Sequence, residues 1–161
     1  MHTRLDRQIL RLAALVALLA VLLPAAGYGQ DTEDEDPYDG AWIAELGDAD
    51  DLCCDEPVLV KAVFRDAEGN LMDIEKVFVR RERINKQTAR WVVLSAICTY
   101  LKCLLEYIPE DQVFRCPCYG CEFDLDGKVI SKPAKTDLPD YSDDVILEDG
   151  TVKLKRQPEE E

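Results

Sequence analysis

From Ala41 onward, apolar positions come in short runs, several alternating with polar ones, and each run ends at a Gly, Asn, Asp or Pro. That punctuation predicts strands rather than helices. The expected strands are Trp42–Glu45, Val58–Phe64, Lys76–Arg80, Trp91–Ile97, Gln112–Arg115, Glu122–Asp124 and Lys128–Ser131, with Val145–Glu148 and Thr151–Lys155 as a closing hairpin. Glu68-Gly69-Asn70, Asp126-Gly127 and Asp149-Gly150 supply turns, because glycine accepts a positive φ. Ala49–Cys53 and Leu104–Glu110 each read as a short helix or turn. Strands at this spacing suit a small all-β sandwich or barrel-like domain. Its expected core is Val58, Val60, Val63, Phe64, Val77, Val79, Val92, Leu94, Ile97, Phe114, Phe123, Val129 and Leu147.

The pattern before residue 41 is different. Arg4, Arg7 and Arg11 precede or open an unbroken apolar run of twelve residues, Leu12 to Leu23, which Pro24 ends; Ala25, Ala26 and Gly27 follow. Residues 1–27 therefore read as a signal peptide or an N-terminal anchor, the run being short for a spanning helix. Without an adjacent arginine pair before it, export as an unfolded chain is expected. Residues 28–40 form an acidic linker, with five acids between Asp31 and Asp36. A domain of residues 41–156 follows, then an acidic tail, 157–161. An exported, periplasmic or extracytoplasmic protein is expected, touching a membrane only through an uncleaved N-terminus.

Charge and cysteine content narrow the function classes. The chain carries 33 acidic and 19 basic residues, a net of −14, and without residues 1–27 the balance is 32 against 16. This argues against nucleic acid and for a basic partner. All seven cysteines lie beyond the export segment, and an odd number leaves at least one unpaired or ligating. The one histidine is His2, so no imidazole serves as base or ligand in the exported part. No phosphate-cradling glycine loop or Ser/His pair is present, and no catalytic residue stands out.

Five of the seven cysteines fall in two boxes, Cys98-Thr99-Tyr100-Leu101-Lys102-Cys103 and Cys116-Pro117-Cys118-Tyr119-Gly120-Cys121. Cys98-x-Tyr100, fifteen residues, then Cys116-x-x-Tyr119 has the frame of a Rieske site, which holds a 2Fe–2S cluster between two cysteines and two histidines. The residues around the boxes fit that frame as well: Leu94-Ser95-Ala96-Ile97 before the first, and Phe123, Asp124, Gly127, Val129, Pro133, Ala134, Leu138, Pro139 and Tyr141 after the second. The chain resembles the Rieske proteins of cytochrome bc-type complexes, with tyrosine at both histidine positions.

The resemblance implies an antiparallel β-sandwich with a small cluster-binding subdomain of two cysteine loops. It implies Cys98 and Cys116 as the sulfur ligands of the metal, and a Cys103–Cys118 disulfide between the loops. Tyr100 and Tyr119 occupy the imidazole places. Cys121 replaces a serine, Phe123 stands where some relatives have tyrosine, and Lys102 replaces a glycine. Three chemistries stay open. The fold can be a cluster-free structural or accessory module, with no cofactor. It can hold an iron–sulfur cluster through Cys98, Cys116, Cys121 and the phenolates of Tyr100 or Tyr119, at a lowered potential. Or Cys116-Pro117-Cys118 and Cys53-Cys54 can exchange disulfides, with Lys102 and Arg115 as the nearby cations. A four-thiolate zinc site of Cys98, Cys103, Cys116 and Cys118 is a further chemical option. The expected partner is a protein, either a basic cytochrome or a respiratory-type complex; the chain is not expected to be an enzyme by itself, and the alternative is a redox subunit of an oxidoreductase.

Overall fold

The computed structural model describes residues 40–52, 55–86 and 88–158. The export segment, the linker up to residue 39, Cys53-Cys54 and Glu159-Glu160-Glu161 lie outside the described residues. Ten strands follow in chain order: β1 (Trp42–Asp48), β2 (Val58–Arg65), β3 (Leu71–Arg83), β4 (Ala89–Ser95), β5 (Glu106–Ile108), β6 (Val113–Arg115), β7 (Glu122–Phe123), β8 (Val129–Ser131), β9 (Val145–Glu148) and β10 (Thr151–Arg156). Ser142–Asp144 forms a single 3-10 turn. Among the described residues no helix is long and apolar enough to cross a membrane.

Every strand pairing is antiparallel. One sheet has six strands in the order β4-β3-β2-β1-β10-β9, and a second has four, β5-β6-β7-β8. The large sheet turns back on itself. Just before β9, the Tyr141 N–H donates to the Val93 carbonyl, the Ser95 N–H donates to that of Pro139, and Asp140 bridges Leu94. Thus the chain entering the last strand seals the free edge of β4, which blunts an exposed row of backbone donors and acceptors.

Local chemistry sets the hairpins. In the β2–β3 turn, Asp66 accepts from both the backbone and side-chain nitrogens of Asn70, and Gly69 takes φ +85°. In the β9–β10 turn, Asp149 and Gly150 both have positive φ, the type I′ signature.

Two cores result. Ala44, Leu46, Ala62, Phe64, Val77, Val79, Val93, Val152 and Leu154 form one cluster on one face of the large sheet. Phe78, Val92, Leu94, Ala96, Leu105, Phe114, Phe123, Ala134 and Leu138 lie between that sheet's outer face and the small sheet. Strands β3 and β4 are therefore covered on both faces, and Val77 through Arg80 are all buried in succession.

Several expectations are corrected. Leu104–Glu110 contains strand β5, paired with β6, rather than a helix. Strand β3 runs thirteen residues, well beyond Lys76–Arg80. Val58 and Leu147 are exposed, at 39% and 58%, so neither belongs to the core. Val58 opens its strand, and Leu147 lies on β9, the outermost strand of the sheet.

Candidate functional site

Both cysteine boxes are tight loops built on one hydrogen-bond plan. In the first, the Cys98 N–H donates to the Cys103 carbonyl and the Lys102 N–H to the Cys98 carbonyl, at 2.8 and 3.0 Å. In the second, the Cys116 N–H donates to the Cys121 carbonyl and the Gly120 N–H to the Cys116 carbonyl, at 2.8 and 2.9 Å. Closure needs a left-handed residue one place before the end, and Lys102 (φ +57°) and Gly120 (φ +68°) supply it. By backbone, then, Cys98 matches Cys116 and Cys103 matches Cys121.

Their supports differ. The first loop leaves β4 through Ala96, whose carbonyl accepts from the Leu105 N–H and whose own N–H donates to Lys76 in β3. The Thr99 hydroxyl donates to the Thr136 carbonyl at 2.7 Å. The second loop joins β6 to β7, where Arg115 pairs with Glu122 and Asp111, each at 2.8 Å. The Ser131 hydroxyl of β8 donates to the Gly120 carbonyl at 3.1 Å. Arg80, nearly buried in β3, donates to the Leu125 carbonyl and pairs with Asp126, tying the large sheet to the loop after β7. Thr99, Ser131 and Arg80 were not singled out from sequence; a lone hydroxyl or arginine in a strand carries no periodic signal.

Cys103 and Cys118 form a disulfide that joins the two loops, with an S–S distance of 2.12 Å and a sequence separation of 15. Cys98, Cys116 and Cys121 are unpaired and buried. Their three sulfurs lie within 4.8 Å of one another, in the apolar cluster of Phe78, Phe114 and Phe123. Tyr100 and Tyr119 meet edge to face at the loop tips, with ring centroids 5.5 Å apart, and are about half exposed. Phe123 is fully buried and Lys102 is exposed.

This arrangement decides between some chemistries. With Cys103 and Cys118 bonded to each other, a four-thiolate zinc site from Cys98, Cys103, Cys116 and Cys118 is not available. Cys118 is joined to Cys103 and not to Cys116, and Cys116 is 1% exposed; disulfide exchange needs an accessible thiolate. Cys53 and Cys54 lie outside the described residues. Among those residues the donor set is the three thiols, with the phenols of Tyr100 and Tyr119 on the same two loops, and no imidazole. An ordinary Rieske cluster needs two imidazoles on one iron, so these residues do not fit it.

The sequence model of the Rieske [2Fe-2S] domain matches residues 55–142, more than half of the chain. The cytochrome b6-f complex iron-sulfur subunit of Chlorobaculum tepidum is 41% identical over 59 residues, 37% of this chain and 32% of that protein. The chloroplastic subunit of the same name from Volvox carteri is 39% identical over 59 residues, 37% of this chain and 28% of its own. The chain thus spans about a third or less of the length of these curated relatives. The crystal structure of a plasma-membrane Rieske protein from Synechocystis is 23% identical, covering 70% of this chain and 97% of that one with a TM-score of 0.47. With more than half its length matched, the chain belongs to the Rieske [2Fe-2S] domain family.

Proposed function

We propose that this protein is an exported Rieske-fold module that lacks the ordinary histidine-ligated cluster and serves as an accessory partner of an electron-transfer complex. One observation carries this: Tyr100 and Tyr119 pack against each other at the loop tips, 5.5 Å between ring centroids, at the positions where the family frame has imidazoles. A phenol grips a metal only after losing its proton, whereas a neutral imidazole offers a ring nitrogen without losing one. The folded loops do not depend on a cofactor for their connection, since the Cys103–Cys118 disulfide already joins them. The similar proteins are named as subunits of a cytochrome complex, which supports a partner of that class. The excess of acidic residues, 33 against 19 basic, favours a basic face on it.

The test is iron and acid-labile sulfide on protein purified without oxygen. Less than a tenth of an equivalent of each is expected; two irons and two sulfides per chain would defeat the cluster-free reading.

A second reading has its own support in the three convergent thiols. Cys121 adds a thiolate beside Cys98 and Cys116, and these could hold an iron–sulfur cluster with a phenolate as fourth ligand. Anionic ligands in place of imidazoles would lower its potential below the Rieske range. The same measurement distinguishes it, because only this reading predicts stoichiometric sulfide without a Rieske spin-resonance signal.

A further inference from the structure

We infer that Cys98, Cys116 and Cys121 form a three-coordinate thiolate site for a single copper(I) ion. The inference rests on the reading that no iron–sulfur cluster occupies the loops.

The donor set points to one small, soft cation. All three sulfurs lie within 4.8 Å of each other. A metal–sulfur bond of about 2.3 Å places sulfurs around a trigonal centre about 4 Å apart, so one ion can touch all three with little movement. The sulfurs come from three different backbone positions. Cys98 and Cys116 begin their loops and Cys121 ends the second, so the hydrogen-bonded closure of each loop fixes where its sulfurs point. Cys98, Cys116 and Cys121 are 0%, 1% and 0% exposed. Water has no open approach to complete a shell.

Ligand softness then chooses among ions. Thiolates select copper(I), zinc and iron–sulfur centres over hard cations. Zinc takes four ligands almost without exception in structural sites, and a fourth thiolate is missing. The remaining nearby sulfurs, Cys103 and Cys118, are spent in their disulfide. Tyr100 and Tyr119 project to the surface, half exposed. Copper(I) accepts three sulfurs. Its binding exchanges three S–H bonds for three metal–sulfur bonds and releases three protons to solvent, with no change of oxidation state.

The pocket also explains why three thiols persist beside a formed disulfide. In an oxidising compartment accessible thiols are consumed, whereas these sit in the apolar cluster with Phe78, Phe114 and Phe123. Burial in that cluster shields the donors from oxidants as it shields a bound ion from water.

The experiment uses the full chain carrying Cys53→Ser and Cys54→Ser, so that the vicinal pair cannot bind, with the loop disulfide intact and oxygen excluded. Iron and sulfide are measured first; their presence at two equivalents each ends the cluster-free reading before copper is added. Sulfide-free protein is then titrated against copper(I) held by the coloured chelator bathocuproine disulfonate. Loss of one equivalent of colour is expected, together with an X-ray absorption spectrum of three sulfur neighbours and no nitrogen or oxygen. Cys121→Ser should weaken binding at least 100-fold, more than loss of a supporting group around a metal does. Serine is the residue that the family frame places there, so the loop should still close, and circular dichroism checks that it does. No transfer of copper overturns the inference. So does an unchanged affinity in Cys121→Ser, or oxygen and nitrogen donors in the spectrum of the parent.

Discussion

Replacing Lys102 by glycine and Gly120 by alanine exchanges the two loops' solutions to one backbone problem. Both positions must be left-handed for the loops to close, and Lys102 holds φ +57° with a Cβ while Gly120 holds φ +68° without one. A side chain costs roughly 1–2 kcal/mol in that region. Glycine's extra freedom in the unfolded chain returns about 0.4–1 kcal/mol of that difference. Lys102→Gly should therefore stabilise the protein by about 0.8 kcal/mol, and Gly120→Ala should destabilise it by a similar amount. A Cβ on Gly120 meets nothing within 4 Å, so backbone strain alone is measured there. Gly127 supplies the contrast. Its φ is +74°, but a Cβ would lie 3.2 Å from both the Leu138 Cβ and a Leu94 methyl. Crowding in the second core should add about 1–3 kcal/mol to the strain in Gly127→Ala. Urea unfolding without reductant or oxygen reads all three, and the first two should appear as shifts of ~2–5 °C in the thermal midpoint. The reasoning is refuted if Lys102→Gly destabilises, or if Gly120→Ala and Gly127→Ala cost the same.

Three further outcomes follow from the same geometry. The double variant Cys103→Ala, Cys118→Ala opens a closure of 15 residues and should lose about 3 kcal/mol in urea unfolding; a loss under 1 kcal/mol would show that the loops are held by their other contacts. Arg80→Met removes the guanidinium that reaches the Leu125 carbonyl and Asp126 and should cost about 1–3 kcal/mol, whereas Asp126→Asn, on the exposed side of the pair, should cost under about 1 kcal/mol. Acid should destabilise through Glu82, whose carboxyl is held below its usual range by the Arg90 hydrogen bond, and Asp137, held low by the Val129 N–H and then by Lys128. Their folded pKa values lie below the unfolded ones, so the stability they add is present above the ordinary carboxylate range, near ~4, and is lost as pH falls through the folded values. The thermal midpoint should drop between pH 5 and pH 3, less steeply in Asp137→Asn, and an identical slope in that variant would refute the assignment.

Strand positions were legible because alternation and turn residues coincide, as in the Asp149-Gly150 hairpin. The same alternation misled where both faces are covered. Period two puts Val77 and Val79 in a core and sends Phe78 to the opposite face. That face is buried by the small sheet, and Phe78 stacks on Phe114 with ring centroids 4.4 Å apart. Strand β5 is hard to read for another reason: Glu106–Ile108 is three residues long, too short for alternation to show, and is held by its hairpin pairing with β6 across residues 109–112. The site shows the limit most clearly. Aligning the boxes by sequence sets Cys98-x-Tyr100 against Cys116-x-x-Tyr119, which offers Cys121 as a replaced serine and a candidate extra ligand without fixing where its sulfur lies. Aligning them by hydrogen bonds sets Cys121 against Cys103. The two loop ends then take different fates, because Cys118, two residues into the second loop, captures Cys103 in the disulfide. Cys121 is left facing Cys98 and Cys116. A serine there would leave two thiols, enough for one iron of a shared cluster; a cysteine makes the trio that any soft cation entering the loops would meet.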